Sequence, residues 1–341
     1  MKAFSPWSGE LPGDLEQALT LQAQLEHSLI APAEKLFARP HKQLRAELVR
    51  IGFLLSGEHH EKGSMTATEA EAIAVLGDVL EVVHAGSLVV DDIQDQSPLR
   101  RGQPSLHCLL GVPLAINLGN WLYFKPLEWI QALGLPPARE LALYRVYHQT
   151  LTRAHMGQAL DLGTRMLELE QAEVKGLCQS AMHLKTGVLM SLALQMGALI
   201  GDAGAERLKL LANWGEHFGV ALQICNDLQS LKPGPERFHD LSLQRPGFVW
   251  SLVAEHASPE AYRAWNAAVA DLPESGPLEA WIQRHDLLSL ACRVSAEKLA
   301  ATRAQLISNL SDENNSIPFH GFDESLSRIE QLIKRICHAY I

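Results

Sequence analysis

The sequence predicts an all-α fold, and three observations carry that prediction. Apolar residues recur at three- and four-residue spacing along almost the whole chain, alternating strand patterns are scarce, and Pro and Gly fall between the periodic segments. The first helical stretch is LEQALTLQAQLEHSLIAPAEKLF, ending at Phe37. The segment 72–90, AIAVLGDVLEVVHAGSLVV, and the segment 187–200 within GVLMSLALQMGALIG are apolar nearly all round, which suits the interior of a bundle. LSRIEQLIKRICHAYI closes the chain with another helical repeat. Between such segments lie GEHHEKGS, SPLRRGQPS, LGLPPARE, LKPGPERFHD, DLPESGP and DENNSIPFHGFDE, each rich in turn formers. Roughly a dozen helices follow, with short connections making successive ones antiparallel neighbours. The stretches 271–278 and 311–317 read as loops within one fold, so a single domain over 1–341 is expected.

The chain has 341 residues, 47% hydrophobic and 20% charged, enough to bury a large core. Its net charge of -10 and scattered basic residues exclude a nucleic-acid footprint. Cys108, Cys178, Cys225, Cys292 and Cys337 lie far apart, without zinc spacing, and read as thiols of a reducing compartment. The N-terminus lacks a basic-then-apolar signal pattern, and no apolar stretch approaches the length of a membrane span. A cytoplasmic protein with no transmembrane segment is expected.

The stretch SLVVDDIQDQSPLRRGQPSLH carries the chemistry. Asp91 and Asp95 are four apart and share a helix face, with Asp92 beside them and Arg100 and Arg101 just beyond. Carboxylates this close repel unless a cation lies between them. Hard oxygen donors suit magnesium, which keeps waters and is shared with substrate phosphates, and the arginines are suited to phosphate oxygens. A solvated acidic helix end is the plainer reading of DDIQD alone. The buried run Leu88–Val90 before it and Arg-Arg-Gly after it favour the metal.

VHAGSLVVDDIQDQSPLRRGQPSLHCLLGVPLAINLGNWLYFKPLEWI resembles the first aspartate-rich region of trans-isoprenyl diphosphate synthases, and within them the eukaryotic-type geranylgeranyl diphosphate synthases. PHKQLRAEL, HMGQALDL, HLKTGVLMSLA and GVALQICNDLQSL are similar to further segments of that family, in the same order, between about 25 and 255. The resemblance implies an isoprenoid-synthase bundle around a deep central cavity. It also implies head-to-tail condensation of isopentenyl diphosphate with an allylic diphosphate. Loss of the allylic diphosphate leaves a carbocation that the second substrate's double bond attacks, and a proton is then lost. About three magnesium ions with substrate bound, and a homodimer, are implied too. The apolar helices around 107–130 are the expected dimer interface.

Residue by residue, the resemblance puts magnesium on Asp91 and Asp95 with Asp92 in support, and on the second motif through Asn226, Asp227 and Ser230. Isopentenyl diphosphate falls to Lys42, Arg45, His84 and Arg101. Arg100, Lys185, Thr186 and Gln223 are expected at the allylic diphosphate, and Arg245 among the substrate-binding residues. Gln158 and Asp161 are open between direct contact and support. Taken singly, His84 reads equally as a core histidine, and Lys42 and Arg45 as surface charge. Gly86 and Ser87, one turn before Asp91, are small and leave an upper gate open for the growing chain. Trp121, Tyr123, Phe124 and His155 match floor positions that favour a twenty-carbon product, or else are plain core packing.

Four departures stand out. Asn226 replaces a metal-binding carboxylate, Gln244 a glycine and Arg245 a lysine, while His41 stands where the family has a glycine. NDLQS also resembles the start of the Asn-Ser-Glu motif of class I terpene cyclases, although the Glu position is Gly234 and Glu236 comes two residues late. A catalytically weak regulatory or binding subunit is the third reading.

Overall fold

The computed structural model describes residues 15–38, 44–56, 65–100, 102–234, 237–312 and 322–340. Among them are sixteen α-helices and one short hairpin. In chain order the helices begin with α1 (Leu15–Leu25), α2 (Ala31–Phe37), α3 (Leu44–Leu54) and α4 (Ala67–Gln94). The hairpin β1 (Leu99–Arg100) and β2 (Gln103–Pro104) follows, then α5 (Leu106–Leu110), α6 (Val112–Ala132) and α7 (Pro137–Gly163). Next come α8 (Gln171–Met182), α9 (Val188–Ile200), α10 (Ala205–Gln229), α11 (His239–Ser242) and α12 (Phe248–His256). The last are α13 (Pro259–Ala270), α14 (Gly276–Arg284), α15 (Leu287–Asp312) and α16 (Phe322–Tyr340). Sixteen exceeds the expected dozen because pieces as short as α5 and α11 span too few residues to show a helical period.

The breakers act as expected. Pro137 opens α7 directly after Pro136, and Pro259 opens α13 behind Ser258, whose Oγ accepts the Ala261 N–H at 3.2 Å. Glu170 and Glu173 form a capping box at the start of α8.

The chain divides into two compact units. The first comprises Met1–Ala46 and Ala74–Leu135. Its core gathers Ile30, Val82, Val89, Leu106, Leu118 and Leu122. α4 and α6 cross closely here: a Cβ on Gly86 would come 2.9 Å from the Gly119 carbonyl oxygen and from Leu122 Cβ. A Cβ on Gly119 would in turn meet Val90 Cγ2 at 2.8 Å. The smallness of Gly86 is thus taken up by a helix crossing, which corrects its reading as an open gate beneath the aspartates.

The second unit comprises Glu47–Ile73 and Pro136–Ile341. At its centre is α9, buried along almost its whole length, and the α3 backbone lies against it so tightly that a Cβ on Gly52 would overlap the Leu194 carbonyl. Between α8 and α9 the helix widens into a π turn, His183–Gly187, which holds Lys185 and Thr186. Trp250, Trp265 and Trp281 form an edge-to-face aromatic row in the core made by α12, α13 and α14.

Two helical stretches, Ala67–Gln94 and Gln171–Ile200, are long and apolar enough to cross a membrane by length and composition. Scattered small and polar residues interrupt both runs in sequence. Of their apolar windows 56% and 67% is buried inside the protein, as in a core helix.

Candidate active site

In the first unit, α4 ends on the acidic motif. Gln96 takes the left-handed conformation, with φ 54°, and Ser97 N–H returns to the Asp92 carbonyl at 2.9 Å, closing the helix as a Schellman cap does. The chain then reverses through the hairpin, with Leu99 opposite Pro104, Arg100 opposite Gln103 and Gly102 at φ 73°. This reversal lays Arg100 back over the acids it follows in sequence. Its Nε donates to Asp92 Oδ1 at 2.7 Å and its Nη2 approaches Asp91 Oδ2 at 3.4 Å. Asp92 is 4% exposed, and burial raises its carboxyl above the usual range against the pull of Arg100.

Asp91 and Asp95 stay half-buried at the same helix end. Two such carboxylates, with Asp92 set aside for Arg100, are a donor set that fits a magnesium completed by water and phosphate oxygens. Among the described residues no group of three or more His, Cys, Asp or Glu converges as a ready-made metal cluster.

About two and three turns up α4 from Asp91 lie His84 and Glu81. Glu81, a buried acid singled out by nothing in its apolar run, accepts the Arg45 backbone N–H at 3.3 Å and holds the Arg45 guanidinium at 4.0 Å. Lys42 and Arg101 lie outside the described residues. Ser87 is half-buried, its Oγ donating to the His84 carbonyl at 2.8 Å. On α6 the Tyr123 hydroxyl is pushed up to about 12 by burial and by the nearby charge of Asp91. Phe124 is 67% exposed, on the outward stripe that includes Ile116 and Asn120. The first unit by itself does not enclose Phe124.

In the second unit, Lys185, Thr186, Gln223, Asp227 and Arg245 come together around Asp161. Lys185 Nζ pairs with Asp161 Oδ2 at 3.0 Å, and Arg245 Nη1 donates to the Asp161 backbone carbonyl at 3.1 Å. Asp161 is buried, with its carboxylate on Lys185 and its backbone carbonyl on Arg245. Thr186 Oγ1 donates to Gln223 Oε1 at 2.7 Å, and Gln223 Nε2 donates to Asp227 Oδ1 at 2.7 Å. The other Asp227 oxygen accepts the Phe248 N–H at the start of α12, also at 2.7 Å. Burial drives the Asp227 carboxyl up to about 7 against the pull of the Phe248 N–H.

Ser230 Oγ donates to the Asp227 backbone carbonyl at 2.6 Å, leaving Asn226 as the exposed member of the motif. The expected ligand set Asn226, Asp227 and Ser230 is therefore corrected. The one carboxylate points into the fold, so this motif does not fit a divalent ion. Gln244, where the family has glycine, sits at φ 55°, a conformation glycine adopts without strain. His155 is exposed, with Nδ1 2.8 Å from the Leu151 carbonyl.

The second unit also holds a cavity of about 360 Å³ lined by Gln149, Thr150, Arg153, Ser191, Gln195 and Glu216, among others. None of the residues singled out in sequence lines it. Glu216 accepts from Arg153 and faces His183; these two contacts outweigh burial and lower its carboxyl to about 2.

Comparison with known proteins gives the family and the fold. The chain is 31% identical over 199 residues to a geranylgeranyl diphosphate synthase of Sulfolobus acidocaldarius, covering 58% of this chain and 56% of that one. It is 30% identical over 217 residues to geranylgeranyl pyrophosphate synthase 2 of Zymoseptoria tritici, covering 61% and 58%. With a copalyl diphosphate synthase of Talaromyces verruculosus it shares 31% identity over 210 residues, 62% of this chain but 20% of that protein. The chain thus spans less than two thirds of the length of each of these curated relatives.

Among solved structures, geranylgeranyl pyrophosphate synthase from Corynebacterium glutamicum, itself complexed with isoprenyl diphosphate and magnesium, superposes with a TM-score of 0.74 at 21% identity, covering 94% of each chain. The geranylgeranyl pyrophosphate synthetase of Pyrococcus horikoshii does so with a TM-score of 0.72 at 20% identity, covering 94% of this chain and 95% of that one. At such identities the likeness establishes the fold, the all-α isoprenoid-synthase fold. The Polyprenyl synthetase family model matches residues 26–275, and with the acidic helix end, the arginine hairpin and the Lys-Thr-Gly π turn in place, this chain belongs to the polyprenyl synthetase family.

Proposed function

We propose that the protein is a magnesium-dependent trans-prenyltransferase that condenses isopentenyl diphosphate head-to-tail with an allylic diphosphate, giving geranylgeranyl diphosphate. The observation that carries the reading is the acidic end of α4, with Asp91 and Asp95 half-buried and Arg100 folded back beside them. Family membership and relatives named for geranylgeranyl diphosphate synthesis support it.

Asp91 and Asp95 hold the ion, and Asp92 keeps Arg100 in place until a diphosphate competes for it. A bound magnesium supplies charge neutralisation of the departing diphosphate. Lys185 and Arg245, steadied by Asp161, and Thr186 with Gln223 meet the allylic diphosphate oxygens. Lys42, Arg45, His84 and Arg101 take the second diphosphate, with Glu81 orienting Arg45. The bond between the allylic carbon and its diphosphate oxygen breaks, the isopentenyl double bond supplies the electron pair for the new carbon–carbon bond, and a proton leaves the adjacent carbon.

Chain length falls to Ser87, Tyr123, Phe124 and His155. The exposed apolar residues Val112, Leu114, Ile116 and Phe124 on α6 support the homodimer, in which a second copy covers that stripe. A cytoplasmic location and one functional domain over 1–341 belong to the same reading. The resemblance implies about three ions, whereas the fitting donor set is at the first motif.

The test is product chromatography with dimethylallyl, geranyl and farnesyl diphosphates, each with and without isopentenyl diphosphate, in the presence of magnesium. The expected product is the twenty-carbon diphosphate, formed only with isopentenyl diphosphate. A hydrocarbon or alcohol from a long diphosphate alone would establish a cyclase, and no turnover together with tight partner binding a regulatory subunit.

A further inference from the structure

We propose that the second motif, Asn226–Ser230, is not a metal-ligating motif in this chain: Asp227 is a positioning residue that ties α10 to the start of α12, and the motif meets a diphosphate-class ligand without a divalent ion. The inference rests on the prenyltransferase reading only for the nature of that ligand.

Both carboxylate oxygens of the motif are engaged within the fold. Asp227 is 9% exposed, and its two carboxylate oxygens accept Gln223 Nε2 and the Phe248 N–H, both at 2.7 Å. Gln223 in turn accepts from Thr186, so the carboxylate ends a relay running from the π turn through α10 into α12. A Cβ on Gly247 would stand 2.9 Å from Asp227 Oδ2, so the backbone before α12 is shaped around this oxygen. Turning the carboxylate outward would leave a buried amide N–H and a half-buried side-chain amide without it, a costly exchange.

Ser230 donates its hydroxyl to the Asp227 carbonyl at 2.6 Å, directing its proton into the helix end. Asn226 faces solvent, but it is neutral. Magnesium sheds water reluctantly and is held through carboxylates and phosphates, so one amide oxygen does not retain it. What this unit offers a diphosphate is donors: the Asn226 amide and the Lys185 ammonium, which is 34% exposed.

Manganese(II) with inorganic pyrophosphate is the probe, and the number of ions bound to the full chain is counted by electron paramagnetic resonance. Asn226→Ala is expected to bind as many ions as the unaltered protein. Asp227→Asn is expected to bind the same number while its thermal unfolding midpoint falls. Loss of one ion in Asn226→Ala, or in Asp227→Asn with its helical circular dichroism intact, overturns the proposal. The variant Asp91→Asn/Asp95→Asn is read separately: if it still binds manganese–pyrophosphate fully, the prenyltransferase reading fails, whichever way Asn226→Ala reads.

Discussion

Gly157 is where the fold and the site depend on the same missing atom. An alanine there would put its Cβ 2.5 Å from Lys185 N, 2.6 Å from Leu184 C and 2.7 Å from Leu184 Cβ. Two of the three are backbone atoms of the π turn and cannot rotate aside, so α7 and the turn must separate by roughly 1 Å to restore ordinary contact. Overpacking of this kind costs about 1–3 kcal/mol, and the rigid partners argue for the upper end. Replacing a helical glycine returns about 1 kcal/mol, leaving a net loss of about 2 kcal/mol.

Gly176 supplies the control. It lies exposed in the middle of α8 with no atom within 4 Å of an added Cβ, so Gly176→Ala should stabilise by up to about 1 kcal/mol. Urea unfolding followed by circular dichroism should therefore move the two midpoints in opposite directions at unchanged slope. Gly157→Ala should also lengthen the 3.0 Å Lys185–Asp161 pair and slow turnover, since displacement of a positioned group by about 1 Å can cost about 100-fold. Gly157→Ala as stable as the unaltered protein would refute the reasoning.

Three further outcomes are expected. Glu216, lowered to about 2 from 4.5, contributes stability that is present above its unfolded value and lost as pH falls from about 4.5 toward 2. The shift corresponds to about 3 kcal/mol before solvent screening of Arg153 reduces it, so Arg153→Gln should flatten the acid limb of a thermal-melt pH series. Arg100→Ala removes the charged partner of a buried carboxylate, so the Asp92 carboxyl should rise further in a carbon-13 titration and stability should fall by about 1.5–3 kcal/mol. Alkylation with iodoacetamide, read by peptide mass spectrometry, should mark the exposed Cys108 quickly and spare Cys178, whose thiol burial pushes up to about 12.

The helices were legible because their signal is local. The spacing of Leu76, Val79, Leu80 and Val83 specifies α4 whatever lies around it, and all four are buried. The first motif was legible for the same reason: an i, i+4 pair on a helix is a neighbour pair in any fold. The second motif was misread as metal ligands because its letters do not reveal where a carboxylate points. Phe248, whose N–H captures Asp227, is 21 residues further on. Likewise Gly86 reads as an open gate until Gly119, far along the chain, is found filling the space beside it.

By itself the sequence determined an all-α chain with an acidic helix end followed by arginines, because helical periodicity and four-residue spacing are properties of a few consecutive residues. Only the tertiary structure decided which acids remain at the surface for a ligand and which are consumed inside. Arg100 engages Asp92 through a hairpin, and α12 engages Asp227 through its first amide. The desolvation and hydrogen bonding that set a carboxylate's role come from groups brought close by folding, and no spacing within a motif encodes them.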